Sequence, residues 1–236
     1  MVGTLINVAT VVAGTAIGTA VGPRLSERVR QRVLAGLGLI TLVLGVDLAL
    51  EWGGPDTSTS TPLYVLGGVL LGGLVGEAVG IERGLERLGD RLQRRLASSG
   101  NHSTLSEGFV TASLLFCVGS LTIIGSIQDG LSGDYQLLAT KAVLDGFAAV
   151  ALAATLGWGV GLAALTVLVV QGSITLGAGL FDDILVGEAL AVLISAGGVT
   201  VIGISLKLLD LKDVKVGNFL PALVIAPALV GLVGLF

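Results

Sequence analysis

The sequence predicts an all-α polytopic membrane protein, a bundle of about eight transmembrane helices with internal repeats. Three observations predict it. Apolar residues make up 53% of the 236-residue chain and charged ones only 13%, and the mean hydropathy is +0.95, well outside the range of soluble domains. The apolar residues fall in runs long enough to cross a hydrocarbon layer of about 30 Å. The basic residues are confined to a few clusters between those runs. One cysteine, Cys117, and one histidine, His102, exclude a disulfide framework and a Cys/His metal cluster, so neither metal nor cofactor is expected. A formal charge of −4 argues against nucleic acid as a partner.

Val2–Gly22 is apolar with no Lys or Arg before it, so it is expected to be a retained first span rather than a secretory signal. It carries a ladder of small residues, Thr10, Gly14, Gly18 and Gly22. A second ladder, Gly68, Gly72, Gly76 and Gly80, runs through the third span, Leu63–Gly80. Small residues on one helical face let backbones approach closely, which holds helices together where lipid removes the hydrophobic drive. The two stretches resemble each other, VVAGTAIGTAVG against VLLGGLVGEAVG, as an internal duplication would. Each precedes an Arg-rich segment, PRLSERVRQRVL and IERGLERLGDRLQRR, expected to lie as a basic amphipathic helix in the headgroup region. The second span is expected from about Val33 to Leu50, ending at Trp52 in a polar stretch.

The Ser-Ser-Gly-Asn-His-Ser linker separates residues 1–98, with three spans, from residues 104–236, with five, within a single integral membrane domain. The later spans are expected at Ser106–Ile127, Gln136–Leu156, Trp158–Leu180, Ile184–Leu206 and Asn218–Phe236. Each is about 19 to 23 residues, enough to cross the bilayer. With eight spans, the clusters Arg24 to Arg32, Arg83 to Arg95 and Lys207 to Lys215 share one face, which the positive-inside rule makes cytoplasmic. Both termini are then expected outside a cell membrane.

Lys141 is the one basic residue left inside a span, and Asp145 shares its helical face one turn on. A charge in mid-membrane costs about 2.5–3.5 kcal/mol on insertion scales, so it marks a functional group unless the pair merely neutralises itself. Glu107 has capping-box spacing from Thr104 and is expected to cap the fourth span. Asp134 and Asp182 or Asp183 are expected to cap later spans. Gln171 lies mid-span beside Ser173, and Glu188 about one turn inside the seventh span. Gln128 and Asp129 are expected in an outer turn between the fourth and fifth spans.

The motifs Gly119-Ser-Leu-Thr-Ile-Ile-Gly125, Gly172-Ser-Ile-Thr-Leu-Gly177 and Gly198-Val-Thr-Val-Ile-Gly203 each place glycine and hydroxyls at mid-span. Such stretches can break a helix, since Ser and Thr side chains bond the freed carbonyls, and paired broken spans point to a transporter-type midplane site. Tight packing is the other reading of each motif.

The stretch FVTASLLFCVGSLTIIGSIQDGLSGDYQLLATKAVLDG, the opening GTLINVATVVAGTAIG and the closing NFLPALVIAPAL resemble the bacterial and archaeal membrane family called domain of unknown function 554, the YdfK/YqgA-like proteins. The resemblance covers nearly the whole chain. It implies a multi-spanning membrane protein, with transport as the suggested activity, and it carries over no catalytic residues.

The sequence therefore reads as a secondary transporter or permease for a small solute or ion, compatible with an inverted three-plus-three core. Its expected pathway residues are Ser120, Thr122, Gln128, Asp129, Lys141, Asp145, Gln171, Ser173 and Glu188, and its packing residues Gly14, Gly18, Gly22, Gly72, Gly76 and Gly80. A non-transporting scaffold or homo-oligomer and a small ion channel are the alternatives. An enzyme is not expected, because clustered His, Cys or paired carboxylates and a Walker motif are lacking.

Overall fold

The computed structural model describes residues 1–84, 87, 102–117, 120–179 and 186–233, and these contain helices and no strand. Nine α-helices run through the described residues. They are α1 (Val2–Val21), α2 (Glu27–Ala49), α3 (Thr61–Val79), α4 (His102–Cys117), α5 (Ser120–Leu131), α6 (Gln136–Leu156), α7 (Gly159–Leu176), α8 (Gly187–Leu208) and α9 (Ala222–Val233). Six of them, α1, α2, α3, α6, α7 and α8, are long and apolar enough to cross a membrane. The pair α4 and α5 would make a seventh span if counted as one, and α9 with the turn before it is a shorter apolar segment, Val216–Leu232. Their outer faces are apolar: Leu63, Leu66, Leu70 and Leu74 form an exposed stripe on α3, as contact with a lipid bilayer requires.

Several expected boundaries move. The first basic segment is not a separate interfacial helix, because Arg28, Arg30 and Arg32 belong to the first turns of α2. No Gly or Pro stands between Glu27 and Ala35 to end a helix, so the segment runs straight into the span. The second basic segment lies outside the described residues except for Ile81–Gly84 and Arg87. Helix α4 starts at His102, which puts Thr104 and Glu107 inside it rather than at its cap. The fourth span is not one helix: α4 and α5 meet at a bend of 60°. The Gly198 motif breaks nothing, since α8 runs through it, and α7 continues past Gly172 to end at Leu176, with Gly177 as its cap. At Thr200 the hydroxyl bonds the Ala196 carbonyl at 3.0 Å while α8 continues. Asp182 and Asp183 lie outside the described residues.

The chain forms two compact units, residues 1–37 with 83–179 and residues 38–82 with 180–236, so their limits fall within α2 and after α7 rather than at the polar linker. In the first unit α1 lies along α6 in the same direction. A Cβ on Gly14 would overlap the Gly146 carbonyl, one on Gly18 the Val150 carbonyl, and one on Gly22 the Ala154 carbonyl. Helix α7 runs against α1, with Thr15 beside Gly161 and Thr4 beside Thr175. The pair α4 and α5 follows α7: Leu105 touches Gly159, Ser113 bonds Thr166 and Gly130 touches Thr175. Arg24 and Arg30 reach the Ala20 and Thr155 carbonyls at the C-terminal ends of α1 and α6, where cations suit the helix dipole.

In the second unit the α3 ladder packs against α9 in the opposite direction, Gly68 on Ala226, Gly72 on Ala222 and Gly76 on Asn218. Gly80 ends α3 in the left-handed conformation (φ 72°), which glycine adopts without strain, and its N–H bonds the Gly76 carbonyl at 2.8 Å. Helix α8 runs parallel to α3, with Val65, Val192, Ala196 and Ala226 forming an apolar core, and against α2, where Gly198 stands on Ala49 and Gly45.

Because the ladder glycines leave no room for a side chain, Gly18→Val is expected to destabilise the first unit by about 1–3 kcal/mol or more. Gly36, with open space where its Cβ would stand, is the control: Gly36→Ala should be neutral or stabilising by up to about 1 kcal/mol. Thermal unfolding of the detergent-solubilised variants, followed by size-exclusion chromatography, measures both.

Candidate functional site

The bend between α4 and α5 is the feature around which the polar side chains of the first unit gather. Cys117 is the last described residue of α4 before the bend. The Phe116 carbonyl beside it is met by two side-chain donors: Lys141 Nζ at 2.7 Å and Thr122 Oγ1 at 3.2 Å. An ammonium at the C-terminal end of a helix is also favoured by the helix dipole. Lys141 pairs in turn with Asp145, one turn on in α6. Asp145 Oδ2 accepts a second bond, at 2.9 Å, from Asn7 Nδ2 in α1. Lys141 is 5% exposed and Asp145 7%, so the pair is enclosed by its own unit. The contact joins α1, α4 and α6 through one carbonyl, one ammonium, one carboxylate and one amide.

Around it lie further buried polar groups. Gln171, fully buried in α7, has no hydrogen-bond partner at either amide atom. Ser126 Oγ on α5 and Asn7 Oδ1 on α1 are buried and unpartnered as well. Thr4 and Thr175 are buried with their hydroxyls 3.5 Å apart. Each unmade hydrogen bond of a buried polar group costs about 1–3 kcal/mol, so such a collection calls for a reason.

Thr122, Lys141 and Asp145 are thus brought together at the bend, and Gln171 lies in the same unit. Ser120 opens α5, and its side chain lies outside the described residues. The other expected pathway residues go elsewhere. Gln128 and Asp129 are not in a turn, because α5 continues to Leu131. Gln128 is exposed, whereas Asp129 is buried and takes the Gly3 N–H at 3.1 Å and the Met1 amino group at 2.7 Å, a carboxylate at the positive end of α1. Ser173 points outward and is exposed, because it lies about 200° around the helix from Gln171 at 100° per residue.

Glu188 sits in the first turn of α8, in the second unit, and accepts bonds from Ser58 Oγ at 2.6 Å and Thr61 Oγ1 at 2.5 Å. It ties the start of α3 to the start of α8. Asp134 Oδ1 accepts the Gln136 N–H at 3.1 Å, at the start of α6. In the second unit Asn218 donates to Glu77 Oε2 at 2.6 Å and accepts the Glu82 N–H at 2.8 Å, while Glu82 Oε2 accepts from Gly217 N at 2.6 Å.

Asn7 is the site residue that sequence reasoning passed over. The signal was present, a lone carboxamide in the apolar run of the first span. Ser126 and Thr175 gave less warning, since Ser and Thr are common in spans, where they can bond their own helix.

A helical bundle with lipid-suited outer faces and a charged pair enclosed at a bent helix pair defines a polytopic integral membrane protein. The chain belongs to the family described as "Protein of unknown function (DUF554)", which it matches over residues 2–231. It is 30% identical over 236 residues to "Uncharacterized membrane protein YdfK" of Bacillus subtilis (strain 168), covering 100% of this chain and 98% of the relative. It is 29% identical over 125 residues to "Uncharacterized protein YqgA" of Escherichia coli (strain K12), covering 53% of each. No solved structure matches the chain.

Removing one member of the pair leaves the other as an uncompensated buried charge. Lys141→Met is therefore expected to cost about 3–5 kcal/mol. The double variant Lys141→Met with Asp145→Leu should recover much of that loss, and comparing the melting temperatures of the single and double variants in detergent checks it.

Proposed function

We propose that the protein is a secondary transporter or permease for a small solute, crossing the cell membrane eight times with both termini outside, and that it is not an enzyme. The observation that carries this reading is the buried Lys141–Asp145 pair on the carbonyl end of a bent helix pair. A discontinuous span with ionisable side chains at its break is the arrangement by which transporters bind and release cargo within a bilayer. The reading counts α4 with α5 as the fourth span and Val216–Leu232 as the core of the eighth. Helix directions within each unit support it, since α1 runs with α6 and against α7, while α3 runs with α8 and against α9. The pair α4 and α5 also runs against α1, as an inverted three-plus-three core needs. In this reading the enclosed pair belongs to an occluded state, and alternating access exposes it.

A second reading, a non-transporting scaffold or homo-oligomer, is favoured by one observation. The ammonium has two protein acceptors and the carboxylate two donors, as a purely structural contact would.

Proteoliposomes loaded with purified protein and screened for uptake of amino acids, organic anions and metal ions separate the two. Solute-specific uptake is expected, with most of it lost in Asp145→Asn, where a neutral amide can no longer balance Lys141. No uptake of any solute would favour the scaffold, and unchanged flux in Asp145→Asn would remove that pair from the mechanism.

A further inference from the structure

Of the first unit's buried residues with unpartnered polar atoms, Asn7, Ser126 and Gln171 lie at one level, while Thr15 Oγ1 and Arg30 Nε stand further along the helices, beside Gly161 and Thr155. Thr4 of α1 meets Thr175 of α7 and Thr15 meets Gly161, so in this antiparallel pair Asn7 falls beside Gln171. On the other side Gly130 of α5 stands on Thr175, and the two helices run in the same direction. One turn back along each brings Ser126 and Gln171 onto facing surfaces at the same height. Asn7 Oδ1, Ser126 Oγ and both amide atoms of Gln171 thus converge, each buried and without a partner. The other end of the Asn7 amide holds Asp145, and through it Lys141 and the Phe116 carbonyl. The ring of helices α1, α5 and α7 therefore presents acceptors, a hydroxyl and an amide donor beside the ion pair.

We propose that this is a binding site for a small, net-neutral polar solute carrying at least one hydrogen-bond donor and one acceptor, a zwitterion, an amide or a polyol. The proposal rests on the transport reading above and names its substrate class. Two features select that class. Charge is already balanced by Lys141 and Asp145, so a guest with net charge would bring an uncompensated ion into a low-dielectric interior. A monovalent cation would also satisfy only oxygens and leave Gln171 Nε2 unmade, whereas a guest with both donor and acceptor completes the set. Binding is coupled to the ion pair because Asn7 touches both, its Nδ2 on Asp145 and its Oδ1 toward the guest.

The test is equilibrium dialysis of the purified full chain in detergent against radiolabelled L-serine, L-glutamine, urea and glycerol, with sodium ion and acetate as charged comparators. At least one net-neutral probe should bind saturably at one per chain. Gln171→Leu should weaken that binding by about tenfold or more, the loss expected for hydrogen bonds worth at least 1.4 kcal/mol. Exposed Ser173→Ala should leave it unchanged. Without ligand, Gln171→Leu should melt above the wild type, because it removes an unsatisfied buried amide. Binding by none of the neutral probes, binding of sodium or acetate in their place, or wild-type affinity in Gln171→Leu would each overturn the site. Saturable binding with no uptake into liposomes would overturn transport and keep the site. Uptake that persists in Gln171→Leu would do the reverse.

Discussion

A backbone carbonyl inside a bilayer has no water to turn to, and the structure of the first unit follows from how one such carbonyl is satisfied. The Phe116 oxygen lies in the last described turn of α4, beside the 60° bend. Within hydrocarbon the cost of leaving it bare is several kcal/mol, so a bend there is tolerated only if the protein supplies a donor. Lys141 supplies one, with a full charge, which creates a second problem that Asp145 answers. Asp145 then carries more acceptor capacity than one ammonium uses, and Asn7 takes part of it. The bend, the ion pair and the amide form one chain of consequences. A charge in this position is costly in itself, and once each step has its partner the sum is enclosed and electrically neutral.

The same helices are held by a different force where no charge is involved. Apolar side chains gain little from one another in lipid, so close approach has to supply the attraction through dispersion and many short contacts. Along α1 the ladder brings backbone onto the α6 carbonyls of Gly146, Val150 and Ala154. This fixes the height of α1 on α6, and that height is what presents Asn7 to Asp145. The glycines are thus part of the site without lining it. A shift of one residue along the groove would move the Asn7 amide by about 1.5 Å and turn it through about 100°, enough to lose its bond.

How much of this could be read beforehand depended on whether the signal was local. Lys141 and Asp145 announce themselves through rarity and i,i+4 spacing, which one helix suffices to show. The span Gln136–Leu156 coincides with α6 because Asp134 sits just before it and Gly157 just after. The Gly119 motif adjoins the bend, yet Gly172 and Gly198 lie within helices: Gly198 packs closely on Ala49 and Gly45, while among the described residues only the Met1 side chain stands near the Cβ position of Gly172. What sequence could not give is the phase of each helix against its neighbours. Ser173 and Gln171 are two residues apart, and one points outward while the other is buried. Glu188 looked intramembrane only because the start of its span was placed three residues early. Its true surroundings, Ser58 and Thr61, are 130 and 127 residues away in the chain.

Asparagine performs one task in both units, and the chemistry explains the choice. In the first, Asn7 holds Asp145 across α1 and α6; in the second, Asn218 holds Glu77 across the α3 ladder and its partner segment. An arginine or lysine there would bind the carboxylate more strongly, but would add a charge to be balanced inside the bundle. A carboxamide donates without changing the charge, and it has a carbonyl left over. In Asn218 that carbonyl takes the Glu82 N–H, so both ends of the carboxamide are partnered. In Asn7 it takes nothing. The difference between a packing device and a site open to a guest therefore comes down to one lone oxygen, and the unit that keeps it also keeps the bent helix pair and the only ion pair among the described residues that is buried at both ends.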